Sequence, residues 1–358
     1  MKQKTICLVI SSFTAGGAER VLSELANHFI KEKNLVVHLI ILIGGKQFYD
    51  LDKRIVIHRP KFDYQKYSRL IFTFKIMSFL RLVLKQTIPD AILSFGGKYN
   101  AFVLLSSIAI KTNIFISDRS RPSISYGKLL DIVNPIIYKK AVGIIAQTMT
   151  AKNYLVKTTK HKNIKVIGNP IRTISSEQII RRENIILNVG RFIGSKHQDW
   201  LIDYFIALDL PDWKLIFLGE GPLFEEIRTS DKALKNVDTI MFKGNVEDID
   251  YYYNRASVFA FTSLSEGFPN ALGEALKAGI ACISFDCEAG PSDLIEHGVN
   301  GYLIDNEDHE SYKLYLNRLC DNEKLREDFG KKSIEKMKEF GVEKIANKFY
   351  NFIFNNID

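Results

Sequence analysis

Short apolar runs alternate along this chain with polar turns and with amphipathic stretches. The first run is Lys4 to Ile10, and apolar residues then recur at a spacing of three or four from Val21 to Phe29. A short apolar run is typical of a buried strand, and the wider spacing is typical of a helix with one apolar face. The alternation of the two patterns predicts an α/β protein built on parallel sheets.

Similar runs predict further strands in both halves of the chain. They cover residues 35–43, 55–58, 90–95, 113–117, 143–147, 164–167, 213–218, 237–242 and 280–285. From Glu307 to the end of the chain the pattern is helical. A length of 358 residues suits two domains. A polar run predicts a linker at 169–184, which separates a first domain, 1–168, from a second domain, 185–340.

The net charge of the chain changes sign near the predicted linker. Residues 1–180 contain 28 Lys and Arg against 10 Asp and Glu, and the remaining residues contain 21 against 31. A basic half is typical of a chain whose partner is an anionic membrane, a nucleic acid or a phosphorylated substrate. No motif that reads RNA or DNA accompanies the charge, so we expect no nucleic acid partner.

The cysteines and the start of the chain predict a cytosolic protein. Cys7, Cys282, Cys287 and Cys320 lack the spacing of zinc ligands, and three of the four lie in apolar surroundings. The apolar run at the start is too short for a signal peptide. No run reaches the roughly 18 apolar residues of a membrane span, so none is expected.

Residues 61–87 combine six Lys and Arg with one acid and many apolar side chains. A basic amphipathic helix of this kind can lie on an anionic membrane surface, with Lys66, Arg69, Lys75 and Arg81 at the lipid head groups. Most amphipathic helices instead cover their own sheet. The two interpretations are compatible, since one face can pack inward while the other meets lipid.

The most informative stretch runs from Phe259 to Gly279, where an apolar run leads into a polar loop and then a helix that begins at Asn270. The free N–H groups of a first helical turn favour an anionic ligand such as a phosphate. Two carboxylates flank this turn, Glu266 in the loop and Glu274 in the helix. Because a carboxylate accepts hydrogen bonds from hydroxyls, the combination indicates a sugar nucleotide.

Glu266 and Glu274, together with Gly267, Pro269 and Gly279, resemble the signature of the family-4 retaining glycosyltransferases. The resemblance extends to both halves of the chain and implies the GT-B fold, in which two Rossmann-like domains face each other across a cleft. It also implies that the last segment, 341–358, is a helix that crosses back to the first domain. Two solvated surface acids are the alternative interpretation of the carboxylate pair.

The resemblance assigns roles in the second half. Gly190-Arg191, followed by Lys196 on the same loop, is similar to the diphosphate-binding pattern of the family. Two cations so placed stabilise the charge that develops on a leaving diphosphate. Glu266 would then hold sugar hydroxyls and Glu274 the ribose. The remaining predicted donor contacts in this half are Gly219, Gly221, Val246, Gly267, Phe268, Pro269 and Asn270.

In the first half, Gly16 and Gly17 lie between a strand and a helix, where the backbone can approach a ligand closely. The resemblance places such a pair across the cleft from the donor. Arg119 and Arg121 occupy a loop where many relatives have His. A guanidinium cannot act as a general base, so we expect the two Arg side chains to bind acceptor phosphate or donor, or else to be surface residues.

No metal and no other cofactor is expected. Asp248 and Asp250 have the Asp-x-Asp spacing of some metal-dependent glycosyltransferases, and so do Asp50 and Asp52. Asp248 and Asp250, however, fall in a predicted first helical turn, where the helix dipole alone favours acids.

Together with the resemblance, which implies a retaining mechanism, the sequence predicts a metal-independent hexosyltransferase on the inner face of the cell membrane. The donor is a nucleotide diphosphate sugar, with a UDP-hexose or UDP-N-acetylhexosamine favoured. The acceptor is a lipid-linked saccharide of a bacterial surface polysaccharide or glycan, such as a capsule or lipopolysaccharide. A sugar-nucleotide epimerase and a catalytically silent scaffold of the same fold remain alternatives.

Overall fold

A computed structural model describes residues 3–14, 16–45, 47–62, 66–175 and 181–355. The chain divides into two compact units. The first comprises Met1–Pro170 together with Val342–Asp358, and the second comprises Ile171–Gly341. Each unit has a parallel sheet with helices between successive strands, so the predicted α/β class is confirmed.

In the described part of the first unit, seven parallel strands form one sheet in the order β3-β2-β1-β4-β5-β6-β7. The strands are β1 (Thr5–Ser12), β2 (Val36–Gly44), β3 (Val56–His58), β4 (Ala91–Phe95), β5 (Asn113–Ser117), β6 (Gly143–Ala146) and β7 (Ile164–Val166). The helices are α1 (Gly17–Glu32), α2 (Arg69–Thr87), α3 (Gly97–Ser106), α4 (Lys128–Tyr138), α5 (Met149–Thr159) and α14 (Val342–Phe354).

The described part of the second unit contains a sheet of six parallel strands in the order β10-β9-β8-β11-β12-β13. The strands are β8 (Glu183–Val189), β9 (Lys214–Leu218), β10 (Ile240–Phe242), β11 (Ala256–Phe261), β12 (Ala281–Phe285) and β13 (Tyr302–Ile304). The helices are α6 (Gln198–Leu208), α7 (Phe224–Arg228), α8 (Asp231–Leu234), α9 (Ile249–Arg255), α10 (Asn270–Lys277), α11 (Pro291–Leu294), α12 (His309–Asp321) and α13 (Glu323–Met337).

The central strands are buried on both faces, as parallel sheets require when helices cover both sides. Every residue of β4 and of β11 is buried. This is why the sequence shows them as continuous apolar runs and not as alternating ones. All four cysteines are buried and unpaired. No helix in the described ranges has both the length and the apolar character needed to cross a bilayer.

The end of the chain was predicted to be helical from Glu307, with a last helix at 341–358, and its described residues are largely helical. It is divided into α12, α13 and α14, with breaks at Asn322 and at a short 3₁₀ turn, Lys338–Phe340. Asn322 ends one helix and caps the next by accepting a hydrogen bond from the Leu325 N–H at 2.9 Å. Residues 356–358 lie outside the described residues. The last helix, α14, packs in the first unit, where Phe352 meets Phe115 edge to face.

The predicted linker, 169–184, is not a separate segment. Residues 171–175 and 181–184 belong to the second unit, and residues 176–180 lie outside the described residues. Arg172 and Ser175 both donate hydrogen bonds to the Asp250 carboxylate. The polar character that predicted a linker therefore comes from side chains with specific partners.

Candidate active site

Two loops of the second unit meet where the strand order reverses. Strand β8 lies between β9, which follows it in the chain, and β11, which does not. In open parallel sheets the loops that leave two such strands diverge and form a crevice at their carboxyl ends. The loop after β8 carries Lys196, and the loop after β11 carries Glu266. These are two of the three residues predicted from the sequence to be catalytic.

Hydrogen bonds fix the two loops to each other. The Leu264 N–H donates to the Ser195 carbonyl at 2.9 Å, and the Thr262 hydroxyl donates to the Lys196 carbonyl at 2.8 Å. Thr262 is fully buried. The neighbouring loop thus holds the backbone of Lys196. Because the backbone is already ordered, less conformational entropy is lost when the side chain acts on a ligand.

The Lys196 ammonium forms an ion pair with the Glu266 carboxylate. Their side chains are 18% and 11% exposed, and the ammonium also lies 5.0 Å from the centre of the Phe261 ring. A pair that is largely withdrawn from water interacts more strongly than a surface pair. The structure therefore brings together two residues that are 70 positions apart in the chain.

A cysteine lies near this ion pair. Cys287 is buried in the loop after β12 and donates a weak hydrogen bond to the Ala289 carbonyl. Burial, and then the negative charge of Glu266, raises the pKa of the Cys287 thiol to about 12. At neutral pH the thiol is therefore protonated and is not a nucleophile.

The second carboxylate of the motif, Glu274, faces Arg172, a cation of the predicted linker. Glu274 is 5% exposed, and its Oε1 lies 3.6 Å from the Arg172 Nε. Arg172 also binds Asp250. Burial opposes the charge on Arg172, but these two carboxylates outweigh it and raise the pKa of the guanidinium. Glu266 and Glu274 are therefore paired with different cations, which excludes two solvated surface acids.

The Asp-x-Asp pair is used within the protein. Asp248 caps α9 by accepting a hydrogen bond from the Tyr251 N–H at 3.0 Å, while Asp250 binds Arg172 and Ser175. Burial opposes ionisation of Asp250, but the hydrogen bonds from Arg172 and Ser175 outweigh it, and the pKa of Asp250 is lowered. Among the described residues, no group of three or more His, Cys, Asp and Glu side chains is arranged to hold a metal ion.

Gly219 and Gly221 have a role that the sequence did not indicate. Both have positive φ, +119° and +159°. A Cβ at Gly219 would lie 2.2 Å from the Gly190 carbonyl oxygen, and one at Gly221 would lie 2.3 Å from that of Phe192. These glycines therefore admit the backbone of the loop after β8. Their contact with a nucleotide stays a prediction.

The other predicted donor contacts fall on three segments of the second unit. Arg191 is exposed beside Gly190, and Val246 is half-buried ahead of α9. Pro269 is the residue before α10 and provides no side-chain cap. The helix begins at Asn270, as predicted. Gly267 and Asn270 are partly exposed, whereas the Phe268 side chain packs beside the Phe340 ring at 5.9 Å. The Phe268 side chain is therefore part of the packing of this unit.

In the first unit, the predicted glycine pair lies at the start of α1. Gly16 has an extended backbone, and its carbonyl accepts a hydrogen bond from the Tyr49 hydroxyl at 2.9 Å. A Cβ on Gly16 would lie 2.3 Å from Oε2 of Glu19. Because a carboxylate already lies at this helix start, the site favours hydroxyls over a phosphate.

Arg119 is not the surface residue that one interpretation predicted. Its guanidinium bonds to Asn169, donates to the Ser117 hydroxyl at 3.1 Å and lies 5.0 Å from the centre of the Phe95 ring. Burial lowers the pKa of this guanidinium, and Asp118 opposes the shift. Arg119 thereby connects the carboxyl ends of β4 and β5 to the segment after β7. Arg121, in contrast, is exposed.

A neighbouring group was missed by the sequence analysis. The Asp118 carboxylate accepts hydrogen bonds from the Tyr126 hydroxyl at 2.9 Å and from the Ser120 N–H at 3.1 Å. Burial raises its pKa despite these bonds. A Cβ at Gly97 would lie 2.2 Å from Oδ2 of Asp118. The signal for this cluster is the second glycine pair, Gly96-Gly97, between β4 and α3, where the order of strands in the first unit reverses.

Comparison with known proteins supports a glycosyltransferase. Residues 171–336 match the family model described as glycosyl transferases group 1. This range covers almost the whole second unit, which is therefore similar to that family. The predicted resemblance to glycosyltransferases is confirmed, while the narrower assignment to family 4 stays a prediction.

Individual relatives extend this similarity to the whole chain. The amylovoran biosynthesis glycosyltransferase AmsD of Erwinia amylovora is 28% identical over 98% of this chain and 99% of its own. An N-acetylgalactosamine-N,N'-diacetylbacillosaminyl-diphospho-undecaprenol 4-alpha-N-acetylgalactosaminyltransferase of Campylobacter jejuni is 28% identical over 97% of this chain and 98% of its own.

Solved structures support the fold. A glycosyltransferase of Rickettsia africae has a TM-score of 0.83 at 15% identity and covers 98% of both chains. The galactosyltransferase WaaB of the lipopolysaccharide outer core has a TM-score of 0.77 at 20% identity, with 98% of this chain and 99% of its own covered. At such identities the likeness concerns the fold, and the predicted GT-B fold is confirmed.

Proposed function

We propose that the chain is a retaining glycosyltransferase that moves a hexose or an N-acetylhexosamine from a nucleotide diphosphate sugar to a lipid-linked saccharide. A UDP-sugar is the favoured donor, and the product belongs to a bacterial surface polysaccharide or glycan. The observation that carries this proposal is the ion pair between Lys196 and Glu266 at the crevice between β8 and β11.

The pair suits the chemistry of group transfer from a diphosphate. As the bond between the sugar and the diphosphate breaks, negative charge grows on the leaving phosphate oxygen. Lys196, assisted by Arg191 on the same loop, would stabilise that charge. Glu266 would accept hydrogen bonds from sugar hydroxyls, and Glu274 from the ribose. In the absence of donor, each carboxylate keeps its cation in place.

The retaining mechanism requires no protein nucleophile in this proposal. Glu266 is occupied by Lys196, and the Cys287 thiol is protonated at neutral pH. The acceptor hydroxyl would attack the sugar from the side of the leaving phosphate, whose oxygen would take the proton. The backbone from Gly267 to Asn270, at the start of α10, would hold the sugar and the phosphate.

Isothermal titration with UDP, GDP and their sugars tests the donor site, first in EDTA and then with magnesium. We expect one nucleotide series to bind at micromolar concentration in EDTA. Binding only with magnesium would contradict metal independence and would return Asp248 and Asp250 as candidate ligands.

The titration and a product analysis also separate the three candidate functions. A glycosylated acceptor identifies a transferase, and a changed free sugar nucleotide identifies an epimerase. Retained binding without turnover of either kind identifies a scaffold. Binding of no nucleotide under any condition would contradict both enzymes and leave the scaffold as the leading candidate.

We further propose that the protein acts at the inner face of the cell membrane and contacts it through α2. Large apolar side chains at the surface of this helix support the proposal, since Leu70 is 75% and Phe74 is 67% exposed. The exposed cations Lys66 and Arg69 lie at the start of the helix. Arg81 is excluded from this contact, because it donates to the carbonyls of Ser106 and Ile108. Residues 63–65 lie outside the described residues.

Liposome flotation tests the membrane contact. We expect the protein to float with vesicles that contain anionic lipid and to float less with neutral vesicles, because each basic side chain near an anionic surface contributes about 1 kcal/mol. Equal recovery from both kinds of vesicle would contradict the contact. A Lys66→Glu, Arg69→Glu variant should lose the preference for anionic lipid.

A further inference from the structure

Arg191 lies on the loop after β8 between two residues that backbone hydrogen bonds hold in place. The Gly190 N–H donates to the Leu218 carbonyl at 3.0 Å, and the Phe192 N–H donates to the Glu220 carbonyl at 3.0 Å. Arg191 itself is exposed. Among the residues that the structure describes, its one hydrogen bond is accepted by its carbonyl, from a side chain further along the same loop.

That side chain belongs to Gln198, the first residue of α6. Its Nε2 donates to the Arg191 carbonyl at 3.3 Å. The same nitrogen lies 3.9 Å from the position that a Cβ on Gly190 would take, so the amide lies beside the turn formed by Gly190 and Arg191. Gln198 is 1% exposed. A buried side chain therefore supports the backbone of Arg191, where backbone bonds support its two neighbours.

The turn that brings Gln198 back to Arg191 contains a strained residue. Gly194–Lys196 forms a short 3₁₀ turn, and His197 then has a φ of +47° and a ψ of +49°. This left-handed conformation is unfavourable for a residue that has a Cβ. The His197 ring stacks on the Trp200 ring at a centroid distance of 3.9 Å, a contact that offsets part of the strain. The left-handed residue reverses the chain, so that the first side chain of α6 reaches the start of the loop.

The oxygen of the same amide has no partner. Oε1 of Gln198 is buried and accepts no hydrogen bond from any residue in the described part of the chain. A buried oxygen without a donor lowers the stability of a fold, and an apolar side chain of similar size avoids that cost. Such an atom calls for an explanation other than packing, and function is a common one. The bond from Nε2 to Arg191 provides that explanation.

We propose that Gln198 is a positioning residue for sugar transfer, and that its amide holds the backbone of Arg191 where the guanidinium meets the donor diphosphate. The proposal rests on the proposed function, in which Arg191 and Lys196 stabilise the leaving diphosphate. It gives the two cations separate supports, since Thr262 on the neighbouring loop holds Lys196 and Gln198 holds Arg191. Gln198 acts through Arg191 and touches no reacting atom.

Gln198→Met tests the proposal, because methionine has a similar length and cannot donate this hydrogen bond. Isothermal titration measures the binding of UDP and of GDP, each compared with its own nucleoside, uridine or guanosine. The nucleotide that binds the unmodified protein should bind the variant about tenfold more weakly, a loss within the usual range for groups in contact. The nucleoside, which has no diphosphate, should bind both proteins equally. Gln198→Leu, which also lacks the N–H, should repeat this result.

A double-mutant cycle with Arg191→Ala separates positioning from a purely structural role. If Gln198 acts through Arg191, Gln198→Met should weaken nucleotide binding by less than about twofold once the Arg191 side chain has been removed. The rate of sugar transfer should follow the same pattern, with a fall of about tenfold or more only when Arg191 is present. An effect of equal size in both backgrounds would overturn the proposal.

The proposal also predicts that stability and binding respond differently. Because methionine removes a buried oxygen that has no partner, the urea midpoint of Gln198→Met should be unchanged or higher while nucleotide affinity falls. Gln147→Met is the matched control. Gln147 follows β6 in the first unit, is 3% exposed and has an Oε1 that likewise lacks a partner among the described residues. This control should bind nucleotide as the unmodified protein does. A lower midpoint for Gln198→Met, with equal losses of nucleotide and nucleoside binding, would overturn the proposal.

These measurements also separate failure of this inference from failure of the proposed function. If the unmodified protein binds neither UDP nor GDP, the proposed function fails, and the role of Gln198 in it fails as well. If the unmodified protein binds a nucleotide and transfers sugar, and both Gln198 variants match it, only the positioning role fails and the transferase remains.

Discussion

Replacing Lys196 by Ala is expected to lower the rate of sugar transfer by about 10²–10³-fold, the usual cost of removing one group that stabilises charge in a transition state. The loss should appear mainly in kcat, because the charge on the diphosphate develops as the sugar leaves. Steady-state kinetics with saturating donor measure it. The structural reason is that Lys196 is held by two residues, through its carbonyl by the Thr262 hydroxyl and through its ammonium by the Glu266 carboxylate.

Lys232→Ala is the matched control for this prediction. Lys232 is also a lysine of the second unit with a carboxylate partner, Asp203, but the two side chains are 61% and 44% exposed. An exposed pair contributes little, so the variant should retain its rate. Transfer by Lys196→Ala at the unmodified rate would refute the assignment of the site. A urea unfolding curve for Lys196→Ala distinguishes a loss of catalysis from a loss of fold.

The partner residue provides a second readout. If Lys196 and Glu266 act as a unit, Glu266→Gln should also slow transfer, and the double variant should be slowed by less than the product of the two single effects. Effects that multiply would show that the two residues act independently and would contradict a shared role in transfer.

Gly219→Ala is expected to lower the free energy of unfolding by about 2–5 kcal/mol. The new Cβ would meet the Gly190 carbonyl oxygen at 2.2 Å, and the residue would have to keep a φ of +119°. Backbone strain and overpacking each cost about 1–3 kcal/mol. Because the carbonyl is part of a backbone, it cannot move aside as a side chain would. Urea denaturation followed by circular dichroism measures the change.

Gly298→Ala isolates the contribution of backbone strain. Gly298 belongs to the same unit and has a φ of +73°, but nothing lies within 4 Å of the position that a Cβ would take. It should cost about 1–2 kcal/mol. Equal destabilisation by the two substitutions would show that the approach of the two loops is unimportant. The larger cost at Gly219 should be accompanied by weaker donor binding, since the loop that it would displace carries Arg191.

The strands were predicted well because parallel sheets bury both faces of a strand, and burial alone produces a continuous apolar run. The strand Asn113–Ser117 agrees with its prediction at both ends, and Val36–Gly44 differs by one residue at each. Predictions failed where boundaries depend on caps. The apolar pattern after Glu307 continues through Asn322 without a break. In the structure the side-chain oxygen of Asn322 caps the start of α13, so one helix ends and the next begins at this residue.

The candidate site also has features that the sequence predicted and features that it did not. The sequence by itself determined which chemistry is present, namely a loop with two cations, a loop with a carboxylate and a helix start with a second carboxylate. These are local features, and the resemblance to a glycosyltransferase family depends on them. Only the tertiary structure decided the partners. It paired Glu266 with Lys196 and Glu274 with Arg172, and it used Gly219 to admit Gly190. The reason is the strand order, which makes β8 and β11 neighbours although two strands and four α-helices separate them in the chain. No local pattern encodes that adjacency.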